Sequence, residues 1–213
     1  MRDKVPEYSQ IQTYIKCDQT NIKEIMHNFI NALQECGIKD AELISAFRGL
    51  EWEMDEDGSM YVSEGEETKE LLVAGQLLHI RPFVMGWTSK SIKELQQSWL
   101  EVSLLFWTEE IVQSSFDYVL REEVRSVIWK VMTAFSHLPN QSGVYFTNEA
   151  GDGRPWEALM QNDLDDIWMF DAAIINKGNM NYYQSIEEAI FFSNLQENEI
   201  LIARRERWVK EPW

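Results

Sequence analysis

The chain holds 213 residues, 45% of them hydrophobic, and carries a formal net charge of −17. That much apolar side chain is enough for a packed core and excludes disorder over most of the length, while so large a negative charge excludes ordinary binding to nucleic acid, because carboxylates repel phosphates. No window approaches the roughly 18 consecutive apolar residues of a membrane span, and residues 1–7 lack the apolar core of a signal peptide, so a cytoplasmic protein with no membrane partner is expected.

From Tyr8 to Cys17 the residues Ile11, Thr13, Ile15 and Cys17 alternate with Gln10, Gln12, Tyr14 and Lys16, the period of a half-buried strand. A helix follows, with Thr20 as its expected cap, an apolar stripe of Ile22, Ile25, Met26, Phe29, Ile30, Leu33 and Cys36, and Gly37 to end it. Cys17 and Cys36 are expected to be free, buried thiols in a reducing compartment. Residues 43–47 and 50–54 look extended, and Asp57-Gly58 reads as the turn of a hairpin between Trp52/Met54 and Met60/Val62. Apolar residues from Leu71 to Val84 suggest one further strand, ending near Pro82 and Gly86, and Ser89 to Gln97 suggests a short helix.

Trp99 to Trp107 alternates with large apolar groups on both sides, which suits a strand covered on both faces. A long helix is expected from Ser114 or Ser115 to Leu138-Pro139, then strands at 143–147 and 167–175. A short helix opened by Pro155, a helix from Ser185 to Leu195 and a strand from Glu199 to Val209 complete the chain. The fold class is therefore α+β, mainly antiparallel sheet with helices packed on one face. From residue 99 the order βαββαβ is that of ferredoxin-like domains, and the first half begins as a degenerate copy of it would. Residues 1–88 are read as an N-terminal α+β module and residues 89–213 as a C-terminal ferredoxin-like module, with one continuous domain as the alternative.

The charge is concentrated in two stretches. Residues 51–70 hold nine acids against Lys69, and residues 149–171 hold seven against Arg154. Isolated carboxylates lose too much hydration to be buried, so these stretches face water or a basic partner. Carboxylates around an exposed aromatic make a receptor for lysine and arginine, through charge at the rim and packing or cation–π contact at the centre. The candidate partner-binding residues are accordingly Glu51, Trp52, Glu53, Asp55, Glu56, Asp57, Glu64, Glu66, Glu67, Trp156, Asp163, Asp165, Asp166 and Trp168. The basic residues Arg204, Arg205 and Arg207 are a counterpatch that could pair with the acidic loops.

Other motifs suit plainer structural roles. Residues 53–64 resemble, imperfectly, a twelve-residue calcium loop, but Glu53 replaces the leading aspartate, a strand-like pattern leads in and no second loop accompanies it. In Gly151-Asp152-Gly153-Arg154-Pro155-Trp156, Asp152 is expected to cap the following helix rather than leave its N–H groups to an anion. His27, His79 and His137 assemble no site, and nothing basic near either cysteine favours a thiolate. No catalytic residue, metal ligand or cofactor is assigned.

The sequence points to a non-enzymatic module that binds a basic protein partner, in its most concrete form an immunity or inhibitor protein masking a basic toxin or nuclease. The alternatives are a metal-dependent enzyme using the cluster at Asp163, Asp165 and Asp166, or an acidic nucleic-acid mimic.

Overall fold

A computed structural model describes residues 7–62, 68–114 and 117–213. The candidate residues Glu64, Glu66 and Glu67 lie outside them. In chain order the elements are β1 (Tyr8–Lys16), α1 (Ile22–Glu35), α2 (Ala41–Gly49), β2 (Ser59–Val62), β3 (Lys69–Val73), β4 (Gln76–Trp87), β5 (Trp99–Trp107), α3 (Thr108–Ile111), α4 (Glu122–Ser136), β6 (Gln141–Asn148), α5 (Arg154–Gln161), β7 (Ala172–Asn176), β8 (Phe191–Leu195), β9 (Glu199–Arg204) and α6 (Arg205–Trp208). Among the described residues nine strands form a single antiparallel sheet in the order β2-β4-β5-β1-β6-β7-β9-β8, with β3 also paired to β4.

Pairing is set by which side chains must be buried. Ile11 and Ile15 of β1, Val102, Leu104 and Phe106 of β5 and Val144 and Phe146 of β6 share one face of the sheet, and α1, α2 and α4 pack upon it. Phe29 on α1 joins the helices, edge-on to Phe47 of α2 at 5.4 Å and to Phe135 of α4 at 5.5 Å. The alternate residues of β1, β6, β7 and β9 point to the other face. There α5 and the chain around Phe170, Tyr183 and Phe191 cover Tyr145, Ala173, Ile175, Ile200 and Ile202. β5 is buried along nearly all its length, as a strand covered on both faces must be. Cys17 and Cys36 are both free and buried. Among the described residues no helix is long and apolar enough to cross a membrane.

Several expected elements differ. Residues 43–47 are helical: Asp40 caps α2 by accepting from the Leu43 N–H at 2.8 Å, and Leu43, Ile44 and Phe47 fall on its buried side. The apolar run 71–84 is a hairpin, β3 to β4, turning at Ala74 (φ 48) and Gly75 (φ 95), the two positive φ values of a tight two-residue connection. Residues 89–97 form turns, not a helix, and α4 starts at Glu122, later than expected. The strand expected over 167–175 begins only at Ala172, after a 3-10 turn at Asp166–Trp168. The helix expected over 185–195 is replaced by a loop and β8, and the last strand ends at Arg204, where α6 begins. β5, α4, β6 and β7 thus keep the βαββ part of the expected order, and β8 stands where its second helix was placed. The suggested division at residues 88/89 falls between β4 and β5, which pair from Ile80↔Phe106 to Trp87↔Trp99.

Because Phe29 bridges three helices at zero exposure, Phe29→Ala is expected to destabilise the fold by about 3–5 kcal/mol, the usual cost of deleting a core ring. Urea unfolding measures this; a loss below about 1 kcal/mol would show that α2 is not held through this ring.

Candidate functional site: an acidic groove beside α2

α2 leaves the core at Leu50, which is buried. The following residues alternate: Trp52 and Met54 pack against the core while Glu51, Glu53 and Asp55 are exposed. The segment is then fixed by a turn. The Asp55 N–H donates to Ser59 O at 2.7 Å and Gly58 N–H to Asp55 O at 3.0 Å, while Asp57 Oδ1 accepts from both the Ser59 N–H and Oγ, at 2.9 and 2.7 Å. Those two bonds hold the Asp57 carboxyl below its ordinary range. Gly58 has φ 83, and a Cβ there would meet Lys90 Cβ at 2.5 Å, so glycine is required where Thr88 Oγ1 ties the turn to the end of β4.

Between this segment and α2 lies an open groove of about 1020 Å³. Its α2 wall is made of small residues, Ala41, Ser45, Ala46 and Gly49, and its carboxylates are Glu42, Glu51, Glu53 and Asp55. Few cations offset them. Lys69 Nζ lies 3.2 Å from Glu42 and 3.4 Å from Asp40, and Lys23 sits 4.0 Å from Glu51 with both side chains largely in water. Lys90 acts on Asp57 through its charge, and among the described residues no cation forms an ion pair with Glu53, Asp55 or Glu56.

The second acidic stretch is elsewhere. Trp156 on α5 is buried at 2% exposure and stacks on Tyr14 at 4.3 Å, so it is an interior residue and not the surface anchor expected from the sequence. Tyr14 points away from the face carrying α1 and α2, which places α5 and the Asp163 loop on the opposite side of the sheet from the groove. Asp163 and Asp165 are exposed, Asp163 accepts from the Asp165 N–H at 3.1 Å, and Asp166 pairs with Arg154 at 3.5 Å. Trp168 is half-buried, edge-on to Tyr183 at 5.3 Å. Asp152 does not cap α5, whose N-cap is Gly153; it accepts from Gln10 Nε2 at 2.5 Å. Nor do the terminal arginines cover the groove acids. Arg204 and Arg207 hold Asp171, at 3.9 and 3.1 Å, and Arg205 donates to the carbonyls of Glu188 and Phe191.

One carboxylate was not singled out from the sequence. Glu101 on β5 is 5% exposed, opposite Tyr14 of β1 and on the face with Trp99. Burial first, and the charge of Asp152 second, push its carboxyl up to about 8, against weaker opposing help from Ser103, Trp87 and Tyr14. Beside it Tyr14 OH donates to Gln12 Oε1 at 3.0 Å, and Gln12 Nε2 donates to Thr147 Oγ1 at 3.0 Å. An acid within a largely apolar central strand is the sequence signal of this interior network. Among the described residues no group of three or more His, Cys, Asp or Glu is placed to hold a metal ion.

The raised Glu101 carboxyl favours the fold when protonated. Its contribution is complete below about pH 4.5 and is lost as pH climbs to about 8, at about 1.4 kcal/mol per pH unit. Glu101→Gln removes that loss, so its urea midpoint is expected to match the parent near pH 4.5 and exceed it at pH 8.5. Parallel midpoints across this window would contradict the burial of an ionisable group there.

No family model and no curated protein matches the sequence. Among solved structures the chain is similar to the Pseudomonas aeruginosa T6SS protein PA0821, at 13% identity over 95% of this chain and 67% of that one, with a TM-score of 0.46. A likeness this distant carries no conclusion about what the present chain does.

Proposed function

We propose that this chain is a non-enzymatic interaction module that receives a basic surface of a partner protein in the groove beside α2. In its most concrete form it is a cytoplasmic immunity or inhibitor protein that masks a basic toxin or nuclease. The observation that carries this reading is the set of outward carboxylates Glu51, Glu53 and Asp55, facing Glu42 across a wall of small side chains, with two of them unpaired. Opposite charge at such a surface speeds encounter, and small residues let a lysine- or arginine-bearing element approach the helix backbone closely.

The acids fan over an open groove instead of converging in a cleft. Glu101, whose carboxyl feels the charge of Asp152, sits on the other face and is sealed from solvent. That arrangement favours interaction over catalysis. A nucleic-acid mimic needs carboxylates repeated along one extended face, whereas the two acidic stretches lie on opposite sides of the sheet.

The test is a triple variant, Glu51→Gln, Glu53→Gln and Asp55→Asn, measured by surface plasmon resonance against the basic protein that the parent chain captures. The association rate is expected to fall about tenfold at low salt with little change in dissociation, and the salt dependence to flatten. Unchanged association would remove the groove from the interface.

A further inference from the structure

Among the described residues β8 is the last strand of the sheet and pairs with β9 alone. Within the hairpin the Gln196 N–H donates to Glu199 O and the Arg205 N–H to Ile190 O, both at 2.9 Å. Antiparallel alternation therefore aims the backbone groups of Phe192 and Asn194 at β9 and those of Phe191, Ser193 and Leu195 outward. Phe191 is satisfied locally, its N–H by Glu187 O and its carbonyl by Arg205 Nε. Among the described residues nothing pairs with the N–H and C=O groups of Ser193 and Leu195, which form an open ladder.

Exposed edges are usually blunted by charge, proline or a bulge. The opposite flank of the sheet has such protection in β3, which carries Lys69 and Glu70. β8, Phe-Phe-Ser-Asn-Leu, carries no charge and no proline, and Leu195 is 72% exposed. Beside the ladder, under Ser193 and Leu195, lies a mainly apolar pocket of about 340 Å³ walled by Met180, Tyr183, Ile186 and Ile200. A strand added to β8 would place alternate side chains over this pocket.

The flanks decide what fits. Glu187 and Glu188 precede β8, Glu197 and Glu199 follow it, and Arg205 is engaged with the carbonyls of Glu188 and Phe191. A second copy paired antiparallel about Ser193 would bring the turn carrying Glu187 and Glu188 of each copy towards the turn carrying Glu197 of the other, like charges gathered at both ends, on a chain already at −17. We infer that the free edge of β8 is a docking site for an extended segment of another protein, with apolar side chains at every second position and lysine or arginine at both ends. Main-chain bonds to Ser193 and Leu195 supply the pairing, the pocket takes the apolar anchors and the glutamates read the basic ends. This surface is separate from the acidic groove, which adjoins β2 at the other flank of the sheet.

The probe is a synthetic nonapeptide with a lysine pair at each end and alternating valine and threonine between, with a glutamate-ended peptide as its counterpart. Amide chemical shifts and hydrogen exchange of the full chain are followed on titration. The lysine-ended peptide is expected to slow exchange and shift resonances at Ser193 and Leu195 and to bind at least about tenfold more tightly than its counterpart. Ser193→Pro, which removes an outward N–H without touching the β9 ladder, should abolish binding; should that variant unfold, Glu187→Lys with Glu188→Lys tests the same point by narrowing or reversing the preference between peptides. Equal binding of the two peptides, shifts that map away from β8, no binding at all, or a concentration-dependent dimer dissolved by Ser193→Pro would each overturn the inference.

Discussion

The rest of the structure depends on the double pairing of β1. Its register to β5 runs from Tyr8↔Trp107 to Lys16↔Trp99, and its other side pairs with β6 from Ser9↔Asn148 to Ile15↔Gln141, with an irregularity between Thr13 and Ile15. A one-residue slip would exchange the two faces of the strand. Ile11 and Ile15 would then leave the helical layer, and Gln12 and Tyr14 would enter it. The polar side is held as firmly as the apolar one, because Gln10, Gln12 and Tyr14 each have a hydrogen-bonding partner on their own face. Register is thereby fixed from both sides at once.

That two-sided burial also explains how so acidic a chain folds. The negative charge is kept off both layers except at Glu101 and Asp171 among the described residues. Asp171 is held by Arg204 and Arg207, and Glu101 is held near neutrality by its raised carboxyl. The remaining acids are left to loops and helix flanks, where water solvates them. Segregation of this kind leaves each acidic patch on its own side of the sheet, and a recognition surface can draw only on one of them.

Much of this was legible in the sequence where a single local period decided the outcome. β1, α1, β5 and the body of α4 follow from alternation or from three- and four-residue spacing, and Gly37 (φ 90) ends α1 as its position suggests. Legibility failed where tertiary context chose between periods. Leu43, Ile44 and Phe47 suit either a strand or a helix, and only the Asp40 cap and the ring of Phe29 select the helix. Phe191 and Phe192 look like part of a helical stripe, yet pairing with β9 draws them into a strand. At the site, exposure of the acids followed from charge alone. The inward placement of Trp156 did not, because it needs Tyr14 as a stacking partner, more than a hundred residues away in the chain.

The central place of β1 also governs the order in which the molecule can be assembled. Its hydrogen-bonding neighbours arrive only with residues 99–107 and 141–148. At the usual pace of translation, 5–20 residues per second, roughly ten seconds separate the emergence of this strand from completion of its second partner. Until residues 99–107 emerge the strand has no partner strand and its backbone is left to water, with α1, directly behind it, the first element able to cover its isoleucines. A fragment ending before residue 141 would lack one of the two neighbours that its first strand requires.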